Sequence, residues 1–275
     1  MPRLLPALLM ILAALARPAA AAGPRVVVDI PPLAALVAMV AGEDAQIEVL
    51  LAPGADPHHA ALRPSQLRRI AAADVAITLG EAFAPGIARA VTAHGPAVRV
   101  VLPNGADHGW LDPATAGEWL NPIAAALGAR DRDRAAAYAR RAIAARARLA
   151  ELRARLRERL AGVARGSLAS GHDAYSAFAR AAGLGPVLAL ADHEDSPPGA
   201  ARMAAFTRAL ETGQIACILA ADAGEAQTLS QLAEGRAKVV VADILGHDLA
   251  PGPDAYAALI LRLADTVAAC AEPRP

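Results

Sequence analysis

The sequence predicts an α/β protein of two lobes, each a parallel sheet clad in helices, with one long helix joining them and a metal site in the cleft between. Three observations carry that expectation. Short apolar runs rich in Val and Ile alternate with helical segments along the first half. The alternation then stops for a stretch without Pro or Gly, from Asp131 to about Gly162. It resumes afterwards and runs to the end. Strand–helix alternation of this kind marks a parallel sheet covered on both faces.

Taken in order, Arg25–Ile30 (RVVVDI) reads as a strand and Leu33–Ala41 as a helix. Gln46–Leu50 is a short strand and Pro64–Ala73 a helix. Asp74–Leu79 is a strand, Phe83–Ala93 a helix, Val98–Leu102 a strand and Pro113–Leu127 a helix. The next segment is dominated by Ala, Arg, Leu and Glu, the strongest helix formers. A continuous helix over 131–162 would be roughly 45–48 Å long at ~1.5 Å per residue. Its arginines read as a solvated face with acid partners such as Glu151 and Glu158. Alternation restarts with Ser167–Ser170 as a strand and Asp173–Ala182 as a helix. Val187–Leu190 is a strand, Gly199–Thr212 a helix, Gln214–Ala220 a strand, Glu225–Gly235 a helix, Lys238–Ala242 a strand and Asp254–Ala269 the closing helix. The expected division is a leader at 1–22, an N-terminal lobe at 23–130, the linking helix at 131–162 and a C-terminal lobe at 163–275.

The leader has the form of a signal peptide. Arg3 supplies a positive start, Leu4–Leu15 an apolar core, and Ala20–Ala22 small residues before Gly23. The apolar run is too short for a spanning helix, so an exported protein is expected. Lys+Arg and Asp+Glu both count 27, and loss of Arg3 and Arg17 with the leader leaves a net charge of −2. There is no positive field to attract nucleic acid.

Chemistry gathers at loops that follow strands, where open α/β sheets bind ligands. His58 lies in PGADPHHAALRPSQL after the second strand. His108 lies in DHGWLDP after the fourth. His172 lies in SGHDAYSAF after the fifth, and Asp243 in VVVADILGHD after the last. Two of these come from each lobe. Lobes that face each other would bring three imidazoles and a carboxylate together, a donor set suited to tetrahedral Zn²⁺. Within DHGWLDP, Asp112 and Pro113 have the residue types that open a helix, and Trp110 is expected to pack beneath His108. His94 reads as a surface residue, and His193 and His247 as solvent-exposed loop residues.

Together PGADPHHAALRPSQL, HGWLDP, GHDAYSAFARAAGL and VVVADILG resemble, in order and over the whole mature chain, the bacterial ABC-transporter substrate-binding proteins that capture zinc or manganese. HGWLDP is similar to the family's His-x-Trp-Leu-Asp-Pro, which puts His108 on a metal ligand. Pro57 and His58 fall on its Pro-His-Asp, with His59 in the place of the acid. Either histidine is a candidate, and His58, directly after the proline, is the expected ligand. GHDAY puts His172 on the third ligand and VVVADILG puts Asp243 on the acidic fourth. A histidine in the third place is a softer donor than the carboxylate of manganese members and favours Zn²⁺.

The resemblance thus implies a monomeric periplasmic receptor that carries Zn²⁺ as its transported ligand to an ABC importer permease, without catalytic residues or nucleic acid. A long His- and acid-rich loop frequent in zinc members is missing, only Pro103–Asp107 standing there. Ala221–Asp222 replaces a frequent Glu-Pro pair. In zinc members a Cys pair placed like Cys217 and Cys270 forms a disulfide, the alternative being two buried thiols. The competing functions are a zinc-dependent hydrolase using the same histidines, a manganese receptor of the same family, and a receptor for a cobalamin or iron chelate. A hydrolase would need an open coordination position and a base, yet no HExxH occurs. A chelate receptor would want aromatic clamps, and the chain has three Phe, three Tyr and two Trp.

Overall fold

The computed structural model describes residues 23–105, 108–192 and 197–272. The leader and His193 lie outside these residues. Strands β1 (Arg25–Val28), β2 (Gln46–Val49), β3 (Val75–Thr78) and β4 (Val98–Val101) form one sheet in the order β2-β1-β3-β4. Strands β5 (Leu168–His172), β6 (Leu188–Ala191), β7 (Cys217–Ala220) and β8 (Lys238–Val241) form a second in the order β6-β5-β7-β8. All neighbours pair in parallel. The apolar runs explain this: β3 and β7 are buried along their whole length, as central strands covered on both faces must be.

Helices α1 (Pro31–Ala41), α2 (Pro64–Ala72), α3 (Pro85–His94) and α4 (Pro113–Arg130) belong to the first lobe, and each opens on a proline. Proline has no N–H to lose there, and its φ is already helical. Helix α5 (Ala135–Arg159) follows, then α6 (Ser176–Ala182), α7 (Ala200–Glu211), α8 (Ala223–Ala233) and α9 (Ala255–Ala271). Elements fall where the sequence places them, with ends shifted by a few residues. Helix α6 begins three residues late. Residues 173–175 form a turn, because the Ala174 N–H donates to the His172 carbonyl at 2.9 Å.

The long helix occupies 135–159, or about 37 Å at ~1.5 Å per residue. It stops short of 131 because Asp131 accepts hydrogen bonds from the Arg134 N–H at 3.2 Å and the Tyr138 hydroxyl at 3.0 Å, which closes a turn between α4 and α5. Among the described residues no ion pair joins its arginines to Glu151 or Glu158; their partners lie elsewhere. Arg134 and Arg141 reach Asp44 in the loop before β2, at 3.4 and 2.7 Å. Arg153 lies 3.4 Å from Asp112, and Arg159 pairs with Asp265 of α9. A periodicity argument sees neighbours on one helix; these partners come from other elements.

Helix α5 packs on α1, α4, α6 and α9. One buried apolar cluster runs continuously from β1 and α1 through α4 and α5 into α6 and α9, so both lobes share a core. A smaller cluster under α7 and α8 completes the second lobe. Cys217 of β7 and Cys270 of α9 are joined in a disulfide, with Cα atoms 5.5 Å apart and 53 residues between them in sequence. Closing such a loop removes up to about 4 kcal/mol of unfolded-chain entropy. Among the described residues no helix is long and apolar enough to cross a membrane.

Candidate metal centre

The loop after β2 carries His58. Its N–H donates to Asp56 Oδ1 at 2.8 Å, a turn closed by an Asp side chain. The His58 ring meets the edge of Phe83 with centroids 5.3 Å apart. His59 goes the other way: its Nδ1 lies 3.2 Å from Asp56 Oδ2 and its side chain is 56 % exposed.

His108 follows β4 and is buried, in the left-handed region at φ +52°. A residue with a side chain rarely adopts that conformation, at a cost of roughly 1–2 kcal/mol. The surroundings that hold it are visible. Gly109 lets the Asn104 carbonyl approach so closely that a Cβ would sit 2.7 Å from it. The fully buried Trp110 packs on the His108 ring at 5.0 Å. The Trp110 indole N–H donates to the Ile244 carbonyl at 2.9 Å, and its own carbonyl accepts from the Tyr256 hydroxyl at 2.6 Å. Asp112 then caps α4 by accepting from the Ala114 N–H at 2.9 Å. The expected packing of Trp110 is present, and a hydrogen bond to the opposite lobe comes with it.

His172 ends β5 and is buried. Its Nδ1 lies 3.3 Å from Glu225 Oε1. That pairing favours the tautomer with its proton on Nδ1 and leaves Nε2 as the donor atom. Gly171 makes room for it, since a Cβ there would collide with the Glu225 carboxylate. The other oxygen of Glu225 accepts from the Ala221 N–H at 2.5 Å, and Asp222 caps α8 by accepting from the Glu225 N–H at 2.8 Å. Ala221 and Asp222 therefore fix Glu225, the acid behind His172.

Asp243 follows β8. Its Oδ1 accepts from the Leu245 and Gly246 N–H groups at 2.8 and 2.9 Å, and its Oδ2 from the His247 N–H at 3.0 Å. Arg262 approaches Oδ2 at 3.5 Å. The Tyr175 hydroxyl donates to the adjacent Ala242 carbonyl at 2.9 Å, which couples the loop after His172 to the loop of Asp243.

His58, His108, His172 and Asp243 all line one cavity of about 380 Å³. His59 does not, nor does His94, which is exposed at the end of α3. His247 is exposed, as expected, and also lines the cavity, with its side chain 30 % exposed. Among the described residues the wall holds Asp56, Asp222 and Asp243 but neither Lys nor Arg, and Phe83 is its single aromatic side chain besides the imidazoles. It suits a small cation and offers little to a large organic chelate.

The His108 and His172 ring centroids are 5.8 Å apart. Two imidazoles sharing a tetrahedral Zn²⁺ at ~2.0–2.1 Å would have centroids about 5 Å apart, so this pair is close to that spacing. Among the described residues, no three His, Cys, Asp or Glu side chains form a group able to hold a metal as they stand. The chelating set would be completed by movement of the loops carrying His58 and Asp243. Sequence reasoning missed Phe83, Glu225, Tyr175 and Tyr256, because nothing in their local spacing sets them apart from core or surface residues.

A family model described as "ZnuA: Zinc-uptake complex component A periplasmic" matches residues 26–270. The high-affinity zinc uptake system protein ZnuA of Paracoccus denitrificans (strain Pd 1222) is 30% identical over 306 aligned residues, covering 93% of this chain and 94% of that protein. The periplasmic zinc binding protein TroA from Treponema pallidum superposes with a TM-score of 0.77 at 19% identity, over 91% of this chain and 100% of that one. The substrate-binding protein FpvC of P. aeruginosa in complex with Ni²⁺ gives 0.74 at 22% identity, over 90% and 96%. At such identities the last two bear on the fold.

Proposed function

The chain belongs to the periplasmic zinc-uptake complex component A family, and from that premise we propose that it captures Zn²⁺ between its lobes and delivers it to an ABC importer permease. The ion is held by His58, His108, His172 and Asp243. One observation carries this reading: loops from both lobes bring these four side chains to a single cavity whose wall, among the described residues, contains no Lys or Arg. Three imidazoles favour Zn²⁺ over Mn²⁺, which prefers carboxylates.

The reading is of a receptor and not of a hydrolase. Each carboxylate lining the cavity accepts a backbone N–H: Asp56 from His58, Asp222 from Glu225, and Asp243 from residues 245–247. None is poised as a base beside an open coordination position. We read residues 1–22 as the export signal, 23–130 and 163–275 as the two lobes, and the receptor as a monomer in the periplasm that binds no nucleic acid.

Titration calorimetry tests the site. Wild type is expected to take up one Zn²⁺. His108→Ala and His172→Ala should weaken it by more than the ~10–100-fold typical of an outer-shell change. His59→Ala and His94→Ala should leave it unchanged. Wild-type affinity in the His108 variant would reject the ligand set.

A further inference from the structure

We propose that His247 is a further metal-binding residue of the cleft, so that the loop after β8 contributes an imidazole as well as a carboxylate. The inference rests on the zinc-receptor reading and deepens it. It begins with what Asp243 can still offer. A carboxylate oxygen has two lone pairs. Those of Oδ1 are taken by the Leu245 and Gly246 N–H groups, and one on Oδ2 is taken by the His247 N–H, with Arg262 nearby. Asp243 is left with a single lone pair for an ion and with its charge partly offset.

His247 supplies what is lacking. It lines the same cavity as His58, His108 and His172. Its Nδ1 lies 3.4 Å from Asp243 Oδ1, much as the Nδ1 of His172 lies 3.3 Å from Glu225 Oε1. With both Oδ1 lone pairs already engaged, the contact at His247 is one of charge: the negative carboxylate favours the tautomer protonated on Nδ1 and leaves Nε2 as the donor atom, as the hydrogen-bonded carboxylate does behind His172. His59 also has an aspartate at its Nδ1, but it stands outside the cavity; His172 and His247 combine both features.

The loop stands between two cavities. Behind it lies a second, apolar one of about 470 Å³, lined by Pro31, Ala38 and Val49 of the first lobe and by Leu245, His247 and Leu249 of the loop. The exposed His247 side chain can change rotamer toward the metal cavity while Leu245 keeps its place in the core. A fourth imidazole makes the donor set softer and widens the preference for Zn²⁺ over Mn²⁺.

The test compares wild type, His247→Ala, Asp243→Asn and the double variant. Zn²⁺ affinity is read by competition with a chromophoric chelator, and ligation by the visible absorption of the Co²⁺-loaded protein. His247→Ala is expected to lower affinity about 10–100-fold and to change the Co²⁺ spectrum. The double variant should lose less than the product of the single losses, because the two groups are coupled. Unchanged affinity in His247→Ala overturns the inference, as does weakened affinity with an unaltered Co²⁺ spectrum. Wild type that takes up neither ion overturns the receptor reading along with it.

Discussion

Asp29 lies at the carboxyl end of β1 with its side chain fully buried. It accepts from the Leu79 N–H at 2.6 Å and from the Ile30 N–H at 3.0 Å, joining the ends of β1 and β3. Burial pushes its carboxyl up to about 7 from 3.8, against the opposing pull of those N–H groups. A raised carboxyl favours the folded state when protonated. That stability is complete below about pH 4, is lost progressively as pH rises to about 7, and amounts to about 4 kcal/mol. Asp29→Asn keeps an acceptor and cannot ionise. Urea unfolding at pH 5 and pH 8 should show the variant more stable than wild type at pH 8 and lacking this part of the decline. Equal declines in both proteins would sink the idea. RVVVDI disclosed a strand and an acid after it. The hydrogen-bond partner that anchors that acid, the Leu79 N–H, lies fifty residues away, which a local pattern does not contain. The residues in and behind the cavity divide the same way. His58, His108, His172 and Asp243 are legible because each follows a strand, whereas Glu225 and Phe83 gain their places from tertiary packing alone.

At the scale of elements, the short turn Gly109–Leu111 joins β4 to α4 and does more than connect them. Trp110 within it donates to the carbonyl of Ile244, next to Asp243, while Tyr256 of α9 holds the Trp110 carbonyl. Trp110→Phe keeps an aromatic ring but leaves a buried carbonyl without its donor and a void where the larger ring stood. The expected cost is about 2–4 kcal/mol. Zinc affinity should fall as well, because His108 and the Asp243 loop lose their shared anchor. Urea unfolding and metal titration of the variant check both. Stability lost with affinity intact would show the anchor to be purely structural. Helix and strand positions were readable because each element has its own periodicity. The separation of the Ala- and Arg-rich helix from α4 was readable too, but its start at 135 and not 131 was not, since that depends on the turn Asp131 closes with Arg134 and Tyr138.

Across the whole molecule, the continuous core and α5 join the lobes through packing that a flexible linker would lack. Wide hinge closure would tear that core open. Small-angle scattering should therefore give metal-free and zinc-loaded protein nearly the same radius of gyration, near the ~18 Å expected for a compact chain of this length. A large compaction on adding Zn²⁺ would contradict a shared core. The two-lobed plan was legible in the order of elements, but the common core was not, because it is formed by faces of α1, α4, α5 and α9 that meet only after folding. The placing of Trp110 has one more consequence. The chain has two tryptophans, and one of them packs, tilted, with its ring centroid 5.0 Å from that of His108 while bonded to the opposite lobe. Its indole is a built-in optical probe: an ion settling on His108 alters the charge beside the fluorophore, so emission intensity reports occupancy of the cleft without any added dye.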